Sequence, residues 1–336
     1  MKWPTVQIDT LDGIKDTIAP LIVSASRATD IPAFHWGWLL HRLSEGYCVW
    51  VNPFNNKKQY VSFENTKAVV FWSKNPAPML ERLDELNQLG FCYYFQFTLN
   101  DYENEQFEPN VPPLQERIET FKRLSEQVGK ERVIWRFDPI LLTDKLTCDD
   151  VLSKIRHIGD RLVSYTQKMV ISFADINVYP RVRHHLQSLS TTCREPTTSE
   201  MLLIAEQIVK AAKGWQMEVS SCCETIPLEQ IGIEHNRCVD PDLLLRLSDD
   251  HELIHFLTGS LSAKGLFDKP TLDYNVLKDK GQRKQCGCVW SKDIGQYSTC
   301  PHHCVYCYAN RSNQAVEKNR ADFSLTSESI VDIRCH

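Results

Sequence analysis

Six times between residues 21 and 224 a short run of apolar, β-branched or aromatic residues is followed by a polar or amphipathic stretch, and this alternation leaves the chain few folds to choose from. The runs are "LIVSAS" (21–26), "AVVFW" (68–72), "CYYFQFTL" (92–99), "RVIWRFDPI" (132–140), "KMVISFADI" (168–176) and "QMEVSSCCE" (216–224), and their Val, Ile and aromatic content reads as strand. Helix signals stand between them. Asp30-Ile31-Pro32 offers a cap and a first-turn proline before a periodic stretch to Glu45, and Asn75-Pro76 precedes "MLERLDELNQLG", which Gly90 ends. Further helices begin near Pro113 and Thr147, and "SEMLLIAEQIVKAAKG" (199–214) has the clearest helical spacing.

Strands that follow one another through helices must lie parallel, because a parallel pair needs a crossover. The expected fold class is therefore α/β. "SASRATDIP" stands after the first run where a dinucleotide-binding sheet would carry G-x-G-x-x-G, so the reading moves to a parallel-stranded (β/α) barrel: partial, with about six units, and TIM-barrel-like. Residues 1–257 form the barrel in this reading, and 258–336 form a C-terminal cysteine-rich segment packed on its mouth. In such barrels chemistry gathers where strands end. The expected strand ends carry Ser24, Ser26, Arg27 and Asp30; Ser73 and Lys74; Gln96 and Thr98; Arg136 and Asp138; Ser172 and Asp175; Ser220, Cys222 and Glu224. Arg27, Lys74 and Arg136 read either as ordinary surface cations or as a group converging on a carboxylate or phosphate. Asp138 and Glu224 are candidate acceptors for a ribose, an amino group or a substrate; Asp138 precedes Pro139, so a turn role is the other reading.

The second constraint is sulfur. Cys286-Gly-Cys288 and Cys300-Pro-His-His-Cys304-Val-Tyr306-Cys307 place five of the thirteen cysteines within 22 residues. Gathered thiolates favour iron–sulfur clusters or zinc, and three on one short loop can hold three irons of a [4Fe–4S] cube with the fourth iron open. A structural zinc knuckle, with His302 or His303 as a further ligand, is the alternative; otherwise these histidines are expected to face solvent. Cys222, Cys238, Cys286 and Cys288 come from three segments and could complete a second cluster or a zinc site, or some of them could be buried free thiols. Cys223 is expected on the opposite strand face from Cys222, in the core. Cys48, Cys92, Cys148 and Cys193 read as small buried hydrophobes.

The spacing C-x3-C-x-aromatic-C, filled by Cys300, Cys304, Tyr306 and Cys307, resembles the cluster loop of the radical S-adenosylmethionine superfamily. The flanking "SKDIGQYSTCPHHCVYCYAN", together with "SASRATDIPAF", "NPFN", "FWSKNP", "WRFDPI" and "DKGQRKQCGC", resembles the DUF1848 family over most of the chain. "WRFDPI" and "CPHHCVYCYA" are also similar to segments of spore photoproduct lyase, a DNA-repair member of the superfamily. The resemblance implies a [4Fe–4S] cluster on Cys300, Cys304 and Cys307, S-adenosylmethionine as cofactor, and an electron donor such as a flavodoxin or ferredoxin. Tyr306 would offer a face for adenine, with Arg27 and Arg136 on the methionine carboxylate and Asp138 or Glu224 replacing the superfamily's Gly-Gly-Glu segment, which is missing at its usual place. The loop follows the sixth unit here rather than the first, a displacement that a circular permutation relative to radical S-adenosylmethionine enzymes would explain.

Other classes fit less well. A net charge of −5 argues against bulk nucleic-acid neutralisation, although a zinc or iron–sulfur module binding nucleic acid through the basic 264–284 stretch is a second reading. An electron-transfer or redox-sensing protein is a third. No apolar run reaches a membrane span and the N-terminus lacks a secretory apolar core, so a cytoplasmic protein without a membrane partner is expected.

Overall fold

The computed structural model describes residues 3–259 and 272–331. The chain opens with a hairpin of β1 (Thr5–Thr10) and β2 (Gly13–Ile18) before β3 (Ile22–Ala25). β4 (Tyr47–Val51) and β5 (Lys58–Ser62) then complete a four-stranded sheet in the order β1-β2-β5-β4. This sheet is absent from the expectations above. Next come β6 (Ala68–Ser73), β7 (Cys92–Thr98), β8 (Val133–Ile140), the short β9 (Leu142–Thr143), β10 (Lys168–Phe173) and β11 (Cys193–Arg194), which pairs only with β9. β12 (Glu218–Ser221), β13 (Glu234–His235) and β14 (Lys292–Asp293) complete the set.

Eight of these strands form one all-parallel sheet in the order β13-β12-β10-β8-β7-β6-β3-β14. From β3 to β13 each new strand of this sheet adds beside its predecessor, so the winding never reverses. All six expected strands belong to it, and the architecture is mixed α/β with a large parallel sheet. The helices begin where their caps predict. The Asp30 side chain accepts from the backbone N–H of Ala33 at 3.0 Å ahead of Ile31–Phe34 and Trp36–Glu45, and Thr147 and Thr197 close capping boxes at Cys148–Leu162 and Thr198–Trp215.

Both faces of the sheet are covered, as parallel sheets require. Val23, Phe71, Phe95, Trp135 and Ile171 belong to one apolar cluster with the crossover helices. Their alternates Ile22, Val70, Tyr94, Ile134 and Val170 belong to another, with Leu243 and Leu244 of the helix Pro241–Leu247, Leu253 and Leu257 of His251–Thr258, and Leu277, Cys286, Cys288 and Val289. This second face brings cysteine-bearing segments against the sheet. Of the basic 264–284 stretch, residues 264–271 lie outside the described residues. No described helix is long and apolar enough to cross a membrane.

Candidate metal centres at the strand ends

The loop of Cys300, Cys304 and Cys307 is anchored by residues that leave β3, β6 and β7. Asp30, beyond β3, accepts from Ser73 at 2.7 Å and from the backbone N–H of Lys74 at 2.7 Å, and it pairs with His302 Nε2 at 2.9 Å. His302 is thus buried at 2% exposure, and the other ring nitrogen faces the Asn110 carbonyl. The expectation of a solvent-facing histidine is corrected: a histidine in a cysteine loop gives no sequence signal of a buried carboxylate partner far away in the chain. His303 stands 3.4 Å from Glu317, and its φ of +54° turns the loop between Cys300 and Cys304. The backbone N–H of Val305 donates to the Phe107 carbonyl at 3.0 Å.

Tyr306 is fixed by its hydroxyl. It donates to Glu108 and accepts from Lys74 Nζ at 3.0 Å and Asn100 Nδ2 at 3.1 Å. Lys74 Nζ also lies 2.7 Å from Glu108, whose second oxygen faces Arg117 at 3.5 Å. Burial pushes the Glu108 carboxyl up, but Lys74 and Arg117 outweigh it and hold it down at about 2. Glu108 carries no motif in the sequence, and His302 lies inside the cysteine motif, whose spacing does not point to Asp30.

The three loop thiols sense one another electrostatically, Cys300 with Cys307 and Cys304 with both, but none is in hydrogen-bonding contact with another. Burial raises all three, Cys300 to about 12. Backbone N–H groups of His302 and Asp30 point to Cys300, and those of Asn310, at 3.4 Å, and Ala309 point to Cys307. Such donors favour the thiolate that a soft metal needs, and three cysteines on one short loop suit a cluster by ligand type.

The structure also gathers the other thiols. Cys222 Sγ lies 3.6 Å from Cys238 Sγ and 4.0 Å from Cys223 Sγ. Cys288 interacts with Cys238 on one side and Cys286 on the other, and Cys286 with Cys223. Cys223 therefore joins this group rather than the opposite face. β12 ends at Ser221, and the φ of +61° at Cys223 breaks the strand alternation on which the expectation rested. Among the described residues no group of three or more His, Cys, Asp or Glu side chains is placed to hold a metal ion. The thiols meet as neighbouring pairs.

The strand-end cations divide between the two places. Lys74 is held at Glu108 and Tyr306. Arg136, 4% exposed, donates to Cys238 Sγ at 3.0 Å and to Gln96 at 3.1 Å, and pairs with Asp138. Arg27 lies 4.6 Å over the Trp72 ring and 3.9 Å from Asp293, and faces Cys288, Cys238 and Cys286. Asp138 also accepts from Ser172. Glu224 accepts from the backbone N–H of Phe173 at 2.8 Å, and burial, then the nearby Asp175 and Asp138, raises its carboxyl to about 7. A hollow of about 510 Å³ between the helices Cys148–Leu162 and Thr198–Trp215 is lined by Arg156, Asp160, Lys210 and Trp215 and by no cysteine.

A family profile described as "Domain of unknown function (DUF1848)" matches residues 22–309. The chain belongs to this family. Most of what has been described above falls inside the match: the eight-stranded sheet, the anchors of the cysteine loop and both groups of thiols. No curated protein matches the chain. Among solved structures, a candidate alpha-L-fucosidase from Bacteroides thetaiotaomicron VPI-5482 is similar at 10% identity over 54% of this chain and 71% of its own, with a TM-score of 0.25. So loose a likeness carries no argument about fold or function.

Proposed function

We propose that this DUF1848 chain is an iron–sulfur enzyme of the radical S-adenosylmethionine type, with a [4Fe–4S] cluster on Cys300, Cys304 and Cys307. One observation carries the reading: three half-buried thiols that sense one another lie on a loop clamped to the ends of β3, β6 and β7, with backbone N–H groups directed at two of the sulfurs. When bound, such a cluster supplies one electron to S-adenosylmethionine and cleaves it to methionine and a 5′-deoxyadenosyl radical, which takes hydrogen from a substrate.

In this reading the sheet is a partial (β/α) barrel, permuted so that the cluster loop comes from the end of the chain yet sits beside the first strand. The chain's own residues position and shield. Glu108, Lys74 and Tyr306 hold the loop. Asp138, Ser172 and Glu224, at the ends of β8, β10 and β12, offer acceptors and a donor to a polar ligand, and Glu224 near pH 7 is poised to give or take a proton. Arg136 is held by Cys238 and Asp138, and Arg27 lies 3.9 Å from Asp293 and faces the second group of thiols. A flavodoxin or ferredoxin would supply the electron.

The test is anaerobic reconstitution followed by dithionite reduction with S-adenosylmethionine. The expected outcome is about four irons on the loop, with 5′-deoxyadenosine formed and both lost in Cys304→Ala. Zinc without iron, or a full cluster that never yields 5′-deoxyadenosine with candidate substrates present, refutes the proposal.

A further inference from the structure

The thiols on the second apolar face form a closed circuit. Taken in order of contact they are Cys222, Cys238, Cys288, Cys286 and Cys223, with Cys223 returning to Cys222. They come from three places far apart in sequence: the end of β12, the loop before the helix Pro241–Leu247, and the C-x-C segment. Packing alone does not call for this. Buried cysteines that serve as small hydrophobes scatter, as Cys48 and Cys92 do here.

The surroundings offer donors to sulfur. Asn236 Nδ2 donates to Cys238 Sγ at 3.3 Å, Arg136 Nη1 donates to the same sulfur at 3.0 Å, and the backbone N–H of Val239 donates to Cys288 Sγ at 3.5 Å. Three donors directed at two sulfurs are what metal-bound thiolates at these positions would accept. The Arg27 guanidinium faces Cys288, Cys238 and Cys286, and its buried Nη2 has no hydrogen-bond partner. Buried cations require countercharge. Four thiolates around a divalent core carry a net charge of about −2, and Arg27 and Arg136, although paired with Asp293 and Asp138, are the cations that face it.

We propose that Cys222, Cys238, Cys286 and Cys288 form a second, closed metal centre with four thiolate ligands, distinct from the loop of Cys300, Cys304 and Cys307. All four positions of this centre come from the protein, so it is structural or electron-carrying and binds no substrate. Its occupant is a soft-metal group, either one zinc ion or an iron–sulfur cluster. Cys222 and Cys238 at 3.6 Å are close to the ~3.8 Å edge of a tetrahedron with metal–sulfur bonds of about 2.3 Å, which suits zinc at that edge. The remaining pairs close on the metal as it binds, since ligand geometry and metal binding are coupled. Cys223, directly after Cys222 in the chain and 4.0 Å from its sulfur, is left as the fifth thiol outside the proposed shell.

The site would pin the segment that covers the second face. Val289 N–H already donates to the Val239 carbonyl at 3.0 Å, and Tyr94 and Gln96 hold the Cys238 carbonyl at 2.6 and 2.9 Å. It also lies beside the first centre: Tyr308, next to Cys307, donates its hydroxyl to the Arg27 carbonyl at 2.9 Å while the Arg27 guanidinium faces the second group.

The experiment uses full-length protein with Cys300, Cys304 and Cys307 all changed to Ala, so that its result is independent of the proposed function. Metal and sulfide are measured after aerobic purification and again after anaerobic reconstitution. We expect about one zinc, or about four irons with sulfide, to remain per chain; the first outcome identifies an ion and the second a cluster. Cys238→Ser or Cys288→Ser should remove that metal, while Cys223→Ser and Cys148→Ser should keep it. As a check that needs no substitution of the proposed ligands, cobalt added to the apo form of the same triple variant should give intense thiolate-to-cobalt absorption and tetrahedral bands. Metal content at background in the triple variant with no cobalt spectrum overturns the proposal, as does metal that survives Cys238→Ser and Cys288→Ser.

Discussion

Glu108→Gln tests how the cysteine loop is held. The substitution keeps the shape of the side chain and removes its charge, leaving Lys74 at 2.7 Å and Arg117 at 3.5 Å without their shared counter-ion at a site where Glu108 is 3% exposed. Two routes give the size of the effect. Breaking a buried ion pair by removing one partner costs about 3–5 kcal/mol. The carboxyl stands at about 2 against an ordinary 4.5, a gap of roughly 2.5 pH units at about 1.4 kcal/mol each, or about 3 kcal/mol. The folded value is depressed, so this stability is present above pH 4.5 and is lost as pH falls toward 2. Urea unfolding of the apoprotein at pH 7 should therefore show a loss of about 3 kcal/mol. The same comparison repeated downward from pH 4.5 should show wild type and variant converging. Thiol titration should find Cys304 more reactive in the variant, because the Glu108 charge that helps to hold the proton on its sulfur is gone. A loss below about 1 kcal/mol with unchanged thiol reactivity would refute Glu108 as the anchor.

His35 is buried, faces the Thr299 carbonyl at 3.5 Å and is held down to about 4 by that burial, so the unfolded chain takes up its proton near 6.5 and the folded chain does not. Stability should fall by about 3 kcal/mol as pH drops from 6.5 to 4, and His35→Gln should flatten that slope in urea titrations; an unchanged slope counts against it. Gly295→Ala would place a Cβ 1.9 Å from Ser26 Oγ and 3.2 Å from Thr29 Cγ2, separating β14 from the turn after β3. It should destabilise by about 1–3 kcal/mol and expose thiols of both groups to titration, and a thermal melt and thiol count equal to wild type would show that the turn gives way instead.

What the sequence made legible was local. Each parallel strand is an apolar run between a cap and a breaker, and the strand-end residues Asp30, Lys74, Arg136 and Asp138 could be placed from those runs alone. The four-stranded sheet was not legible: β1 and β2 read TVQIDT and GIKDTI, with too few apolar residues to announce a buried face. β13 and β14 are two residues each, so their pairing with a strand already in place, not their own propensity, makes them strands. At the candidate sites residue type was legible and partner was not. Arg27, Lys74 and Arg136 are all strand-end cations, yet Lys74 meets a carboxylate 34 residues away while Arg136 meets a sulfur 102 residues away. Nothing in local spacing encodes that choice.

The position of the cysteines follows from a problem the sheet has to solve. Winding in one direction from β3 leaves β3 with one unpaired edge, and an open parallel edge is a liability. β14 covers it, with Lys292 opposite Val23 and Asp293 opposite Ser24. Asp293 then accepts from the Ser24 hydroxyl at 2.7 Å and from the backbone N–H of Arg27 at 2.9 Å, so the residue that closes the edge also shapes the turn carrying Arg27. Cys288 stands four residues before Lys292 and Cys300 seven residues after Asp293. A pairing of two residues thus delivers one group of thiols to each side of Arg27. The chemistry proposed for the ends of the first strands depends on the far end of the chain because that end supplies the strand their edge lacked.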